Sequence, residues 1–268
     1  MPELPEVETV RRQLERVWRG RAIERVQAGA DNYFFVTPPA TLRRKLRGER
    51  LQNLERRGKY LIAQFQSGQR LLLHLGMTGQ FVARRLPADG HVHLVFFLEG
   101  SQVVSFRDVR KFGKVELLPP QMSCPRLEKL GPDALSAPSL ETANKMRRRK
   151  APIKAVLLDQ ALWAGVGNIY ADEALFSAGI RPTRSAARIS VAAAKRLVRA
   201  TQTILQQAIE AGGSTINDYI QPEGELGGFQ NWHQVYGKLG QPCPRCHAAI
   251  RRVAVAGRSS HFCPRCQK

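Results

Sequence analysis

The sequence predicts an α+β protein of two domains, an antiparallel β-rich first half and a helical second half closed by a small cysteine module. Three observations predict it. Short β-type runs crowd residues 61–118, helical periodicity takes over after residue 150, and four of the five cysteines lie between residues 243 and 266. A hydrophobic content of 43% supports a packed interior and not a disordered basic chain.

Residues 5–18 read as a helix. Val7, Val10, Leu14, Val17 and Trp18 recur at helical spacing, and Pro5 suits a first turn. From Ile23 to Leu118 the β-type runs are LIAQF (61–65), RLLLHL (70–75), HVHLVFFL (91–98), QVVSF (102–106) and KVELL (114–118). Turns containing Gly68, Gly100 and Gly113 separate them, which suggests an antiparallel sandwich or barrel. Residues 121–150, rich in proline and ending in KMRRRK, read as a linker. Helices are expected over 153–162, 169–178 and 191–211. The last carries Leu197, Val198, Thr201, Ile204, Leu205, Ala208 and Ile209 on one face and stops at Gly212-Gly213. Gly224, Gly227 and Gly228 then mark a loop. The expected division is 1–120, a linker at 121–150, 151–240, and a cysteine module at 241–268.

A chain of 268 residues accommodates two domains of the usual ~100–200 residues. Lys and Arg number 42 against 22 for Asp and Glu, a net charge of +20. Such an excess repels itself when folded, so a polyanion, nucleic acid above all, is the natural partner. No run approaches the ~20 apolar residues of a membrane span. The start MPELPEVETVRRQ has acids where a signal peptide is apolar, so a cytoplasmic location is expected. An odd number of cysteines with paired Cys-x-x-Cys units points to metal in a reducing compartment, not to disulfides. Cys124 is left over and reads as a small hydrophobe.

Cys243-Pro-Arg-Cys246 and Cys263-Pro-Arg-Cys266 have the spacing of a tetrahedral zinc site on a hairpin. Four thiolates leave no open position, so one Zn²⁺ is expected in a structural role. The module contains Arg245, Arg251, Arg252, Arg258, Arg265 and Lys268 and no acid, which suits a surface lying against phosphates.

Pro2 follows Met1, and a small second residue permits removal of the initiator. The exposed α-amine would titrate near ~8, against ~10.4 for lysine, and serve as a nucleophile at a sugar C1′ carbon. Glu3 and Glu6 stand beside it as acid–base candidates. Many chains begin Met-Pro, so these residues alone leave a structural role open. The segments PELPEVE, RRGKYL (56–61), HLGMTG (74–79), FRDVRKFG (106–113), LGPDAL (130–135), GVGNIYADEALF (165–176) and GRSSHFCPRCQK (257–268) decide more. In order and over nearly the whole chain they resemble formamidopyrimidine-DNA glycosylases, the bacterial-type enzymes that act on 8-oxoguanine and cleave abasic sites.

The resemblance implies an N-terminal antiparallel β-sandwich with flanking helices and a C-terminal helix–two-turn–helix domain with a four-cysteine zinc hairpin. It implies Pro2 as nucleophile and Glu3 as acid at the sugar, with Lys59 beside them on the phosphates next to the lesion. Glu6 and Glu173 would be supporting residues, Glu6 at the N-terminus and Glu173 near the lesion-recognition loop. His74, Asn168 and Arg258 would contact phosphates. Met77, Arg110 and Phe112 would fill the gap left by an extruded base, and Lys154 would take part in damaged-base recognition. Residues 214–229 would form the lesion-recognition loop. The implied partner is duplex DNA containing oxidised bases, bound by a monomer associated with the bacterial nucleoid. Val109 and Lys111 stand where some members carry Pro and Arg. Two alternatives stay open: an endonuclease VIII-like enzyme for oxidised pyrimidines, which typically begins PEGPE where this chain has PELPE, and a non-catalytic damaged-DNA binder; a zinc-ribbon regulator fails to explain the first 120 residues.

Overall fold

The computed structural model describes residues 2–30, 32–86, 90–216 and 219–268. Met1, whose removal the sequence suggests, and residues 217–218 of the expected recognition loop lie outside the described residues. The contacts divide the chain into two compact units, Met1–Pro125 with Ala211–Gly228, and Arg126–Glu210 with Phe229–Lys268.

The first unit opens with α1 (Leu4–Trp18), which turns Val7, Val10, Leu14 and Trp18 inward. Then come β1 (Ile23–Ala28), α2 (Pro39–Leu46), β2 (Leu51–Arg57), β3 (Tyr60–Phe65), β4 (Arg70–His74), β5 (Gly79–Val82), β6 (Val92–Leu98), β7 (Gln102–Asp108) and β8 (Lys114–Leu118). They form two antiparallel sheets, in the orders β1-β6-β7-β5 and β2-β3-β4-β8. Leu54, Leu61, Leu73 and Val115 of one sheet share a core with Phe81, Phe96, Val104 and Phe106 of the other. This is the expected sandwich. Trp18 reaches both layers, with ring centroids 4.6 Å from Phe96 and 6.4 Å from Phe65. Full burial of each such side chain contributes about 1.5–3 kcal/mol, so the helix is held to the sheets by its whole inner face.

Sequence position groups the stretch 211–228 with the helices that precede it, yet it packs within the first unit. Ser214 N–H donates to Glu6 Oε1 at 2.8 Å, and the Gln13 amide donates to Gln221 Oε1 at 2.6 Å.

In the expected linker, 121–150, the chain forms α3 (Pro125–Glu128) and α4 (Ser139–Arg147). The linker reading is thereby corrected. Ala143 and Met146 are fully buried, α4 packs on the long α7 (Val191–Glu210), and Gln202 of α7 donates to Ala137 C=O at 2.9 Å. Between α4 and α7 lie α5 (Ile153–Leu158) and α6 (Asn168–Ala178). α5 stops earlier than expected because Asp159 Oδ1 takes the Ala161 N–H at 3.0 Å and turns the chain. Gln160 closes the rest of the connection. Its amide donates to Leu158 and Val166 C=O and accepts Gly165 N–H, all within 3.0 Å, and Gly165 supplies a φ of +112°. The hairpin of β9 (Arg251–Val255) and β10 (Arg258–Phe262) completes the unit, with Phe176, Val235, Ile250, Cys243 and Cys263 as its core. Among the described residues, no helix is long and apolar enough to cross a membrane.

Candidate active site and nucleic-acid interface

The position of Pro2 is set by the start of α1. Glu3, extended at φ −107°, is the N-cap, and its N–H donates to Glu6 Oε2 at 2.8 Å. The other Glu6 oxygen takes Ser214 N–H. One buried carboxylate thus fixes the peptide after Pro2 and the start of the 214–229 loop. Tyr219, whose hydroxyl reaches Glu6 C=O at 3.5 Å, is held above its ordinary pKa by burial and then by the Glu6 charge, so it stays a donor.

Lys59 sits in the β2–β3 turn, behind Gly58 at φ +58°. Arg56 anchors that turn to α1: it donates to Glu8 Oε2 at 3.0 Å and to Gly58 C=O at 3.2 Å. Burial pushes the Glu8 carboxyl up, but hydrogen bonds from Arg11 and Arg12 and the Arg56 charge outweigh it, and the net pKa is lowered. Glu8 therefore remains an anion that aims Arg56. His74 faces Tyr60 across the β3–β4 pairing, with rings 4.8 Å apart. Burial, then the Lys59 and Lys114 charges, lower its pKa to about 4. Its Nδ1 accepts Gly76 N–H at 3.1 Å, which places the ring proton on Nε2. His74 is thus a neutral donor at physiological pH.

Met77 lies in the β4–β5 turn, and Arg110 and Phe112 lie in the β7–β8 turn. Met77 is 38% and Phe112 43% exposed, and the Arg110 guanidinium sits 4.6 Å over the Phe112 ring. Large apolar side chains at exposed turn tips are not core packing. The two turns touch through glycines. A Cβ on Gly76, which has φ +63°, would lie 2.4 Å from the Phe112 carbonyl carbon. Gly76→Ala is therefore expected to destabilise the protein by about 3 kcal/mol, read as a lowered unfolding midpoint.

In the second unit Asn168 opens α6, behind Gly167, where a helix N-terminus favours a phosphate. Arg258 is exposed at the start of β10, after a turn with Ala256 at φ +48° and Gly257 at +72°. Lys154 is elsewhere than a surface contact requires. It has no exposed surface, and its ammonium lies 2.5 Å from Asp172 Oδ1, 3.1 Å from Ser259 C=O and 3.5 Å from Asn168 C=O. The part in damaged-base recognition expected of Lys154 is thus not that of an exposed contact: the ammonium is spent inside the fold. Glu173 is held from the segment that follows the loop. Its carboxylate accepts N–H groups of Gln234, Val235 and Tyr236 at 2.8–3.0 Å, so it braces 234–236. Burial raises its pKa against those three bonds.

The four cysteine sulfurs all lie within 4.8 Å of one another, with Cys246–Cys263 at 3.4 Å and Cys243–Cys266 at 3.9 Å. A tetrahedral zinc with ~2.3 Å bonds needs sulfurs ~3.8 Å apart, so the donor set fits the ion. A zinc ion held by these four sulfurs would tie the two Cys-x-x-Cys turns together and thereby fix the hairpin that carries Arg258.

Six residues escaped the sequence reading: Tyr33, Thr78, Asp108, Asp172, Glu8 and Arg56. Thr78, Asp108 and Asp172 stand inside the quoted motifs HLGMTG, FRDVRKFG and ADEALF. Their positions were visible, but their partners, most of them 15 to 89 residues away, were not.

A sandwich with exposed apolar and arginine turn tips, joined in sequence to a helical unit with a basic four-cysteine hairpin, defines a zinc-finger protein built to engage nucleic acid. Residues 1–115 match the formamidopyrimidine-DNA glycosylase N-terminal domain, 130–219 its H2TH domain, and 240–268 the zinc finger found in FPG and IleRS. The chain belongs to the formamidopyrimidine-DNA glycosylase family. It is 42% identical over the full length of both chains to the formamidopyrimidine-DNA glycosylase of Cereibacter sphaeroides. The crystal structure of MutM (Fpg) from Thermus thermophilus superposes with a TM-score of 0.89 at 42% identity, covering 99% of this chain and 98% of that one. A Lactococcus lactis Fpg variant in complex with Fapy-dG-containing DNA gives 0.92 at 39% identity over all of both chains.

Proposed function

We propose that this chain excises oxidised purines, 8-oxoguanine and formamidopyrimidines, from duplex DNA and then cleaves the strand. The observation that carries the reading is the double use of Glu6, which fixes Glu3 and the start of the 214–229 loop to each other. A loop reading an extruded base is thereby held beside the groups that act on its sugar. The Pro2 amine attacks C1′, the bond to the base breaks, and the base leaves with a proton. Glu3 protonates the ring oxygen as the sugar opens, leaving an iminium between Pro2 and the sugar. Loss of a C2′ proton expels the 3′ phosphate, and a second elimination expels the 5′ phosphate.

Lys59, His74, Asn168 and Arg258 hold phosphates, His74 as a neutral N–H donor. Met77, Arg110 and Phe112 occupy the gap left in the stack. Lys154 serves indirectly, through Asn168 and the finger. The net charge of +20 supplies affinity that falls with salt, and the enzyme works as a cytoplasmic monomer on nucleoid DNA. The test offers the protein an 8-oxoguanine duplex and a thymine-glycol duplex with borohydride present. A covalent adduct and nicking on the first are expected. Preference for thymine glycol assigns the chain to oxidised pyrimidines, and no adduct on either leaves a binder without activity.

A further inference from the structure

The β7–β8 turn holds a conformation that it does not favour by itself. Lys111, between Arg110 and Phe112, has φ +57°, a left-handed value that costs a residue with a side chain on the order of 1 kcal/mol. Such strain persists only where surrounding contacts over-determine it. Here they do. The Arg110 N–H donates to Thr78 Oγ1 at 3.1 Å, and the Arg110 C=O accepts the Tyr33 hydroxyl at 2.7 Å. One peptide residue is therefore gripped from both sides by side chains of two other segments.

Behind this grip stands Asp108, fully buried. Its Oδ1 accepts the Thr78 hydroxyl at 2.5 Å, and its Oδ2 accepts Gly113 N–H at 2.7 Å, so one carboxylate closes both ends of the strained turn. His93, also buried, meets Asp108 C=O through Nε2 at 2.8 Å. Tyr33 is itself fixed, since the Lys114 ammonium donates to its C=O and lies 4.3 Å over its ring.

We infer that Thr78, Asp108 and Tyr33 are positioning residues for the gap-filling step: they hold Arg110 and Phe112 in their projecting conformation before DNA arrives. The inference rests on the assignment of Met77, Arg110 and Phe112 as gap fillers. Without the frame, the turn relaxes toward negative φ at Lys111, and it must be reordered in every encounter with a lesion. None of the three residues needs to touch the lesion or the sugar.

The test compares Thr78→Val, Thr78→Ser and Tyr33→Phe with Phe112→Ala as the reference. Three quantities are read: single-turnover excision from an 8-oxoguanine duplex, borohydride trapping on a single-stranded abasic oligonucleotide, which has no gap to fill, and the unfolding midpoint. Thr78→Val removes both hydroxyl bonds at constant shape and is expected to slow duplex excision about tenfold, the equivalent of one buried hydrogen bond. Tyr33→Phe, at an exposed position, is expected to slow it about threefold. Thr78→Ser keeps the hydroxyl and restores the rate, and single-strand trapping stays within about twofold of the parent throughout. Equal losses on the two substrates that track the unfolding midpoint would overturn the inference in favour of a purely structural frame. So would unimpaired duplex excision by Thr78→Val while Phe112→Ala is slow. If Phe112→Ala itself excises at the parental rate, the gap-filling assignment fails and the positioning role falls with it.

Discussion

A form of the chain that retains Met1 is expected to bind damaged duplex DNA yet to give no borohydride-trapped adduct. The reason is covalent. With Met1 attached, the Pro2 nitrogen is an amide whose lone pair is delocalised into the carbonyl, and it carries no proton to lose. The neighbourhood is otherwise unchanged. Glu3 still caps α1, Glu6 still holds the Glu3 and Ser214 N–H groups, and Val7, Val10 and Leu14 still seat the helix in the core. The phosphate contacts proposed for Lys59, His74, Asn168 and Arg258 do not involve the Pro2 nitrogen, so binding is expected to survive the loss of one reacting atom. Removing a covalent nucleophile costs on the order of three decades of rate or more. Denaturing electrophoresis of trapping reactions reads the adduct, and titration of a duplex carrying an uncleavable abasic analogue reads binding. An adduct of parental yield from Met1-retaining protein would remove Pro2 from the mechanism and transfer the role to another amine, with the Met1 α-amine and the Lys59 side chain the first to test.

What the sequence made legible follows a physical division. Elements whose burial repeats with a clean period were visible, such as α1 and α7. So was chemistry written in ligand spacing, as in the four cysteines. Irregular elements were not. In β1 and β2 the burial does not alternate, because each carries a bulge, at Ile23/Arg25 and at Leu51/Asn53. Leu51 and Leu54, three apart, mimic a helical spacing inside a strand. α2 begins at the second of two adjacent prolines and buries only Pro39, Leu42 and Leu46, too short a stripe to outweigh a turn signal. α4 was masked in the same way by the proline-rich stretch around it. The site residues divide similarly. Pro2, Glu3, Glu6 and the two turn motifs are local and came from the quoted segments. The burial of Lys154 and the partners of Glu173 are decided by residues 14–105 positions distant, which no single stretch displays.

Lys154→Met is expected to destabilise the second unit by about 3–5 kcal/mol, because it leaves Asp172 as an unpaired charge with no solvent. Asp172 is fully buried. Besides the Lys154 ammonium at 2.5 Å, its partners among the described residues are the His261 N–H at 2.9 Å and His261 Nδ1 at 3.3 Å, all three on residues of the same unit. At roughly 2–4 °C per kcal/mol for a protein of this size, the unfolding midpoint falls by about 10 °C. The double change Lys154→Met with Asp172→Asn removes the stranded charge and is expected to recover much of the loss, since deleting both members of a buried pair costs far less than deleting one. The same variants decide how Lys154 serves DNA. Its ammonium grips Ser259 C=O, next to Arg258, and reaches Asn168 C=O, so its removal is expected to loosen the two residues proposed above to hold phosphates, without deleting a charge from the proposed interface. Affinity then falls together with stability, and the slope of log affinity against log salt keeps its value. A lysine touching a phosphate would behave oppositely, lowering that slope by about one at unchanged stability. Calorimetry and a salt titration on the one variant separate the two roles.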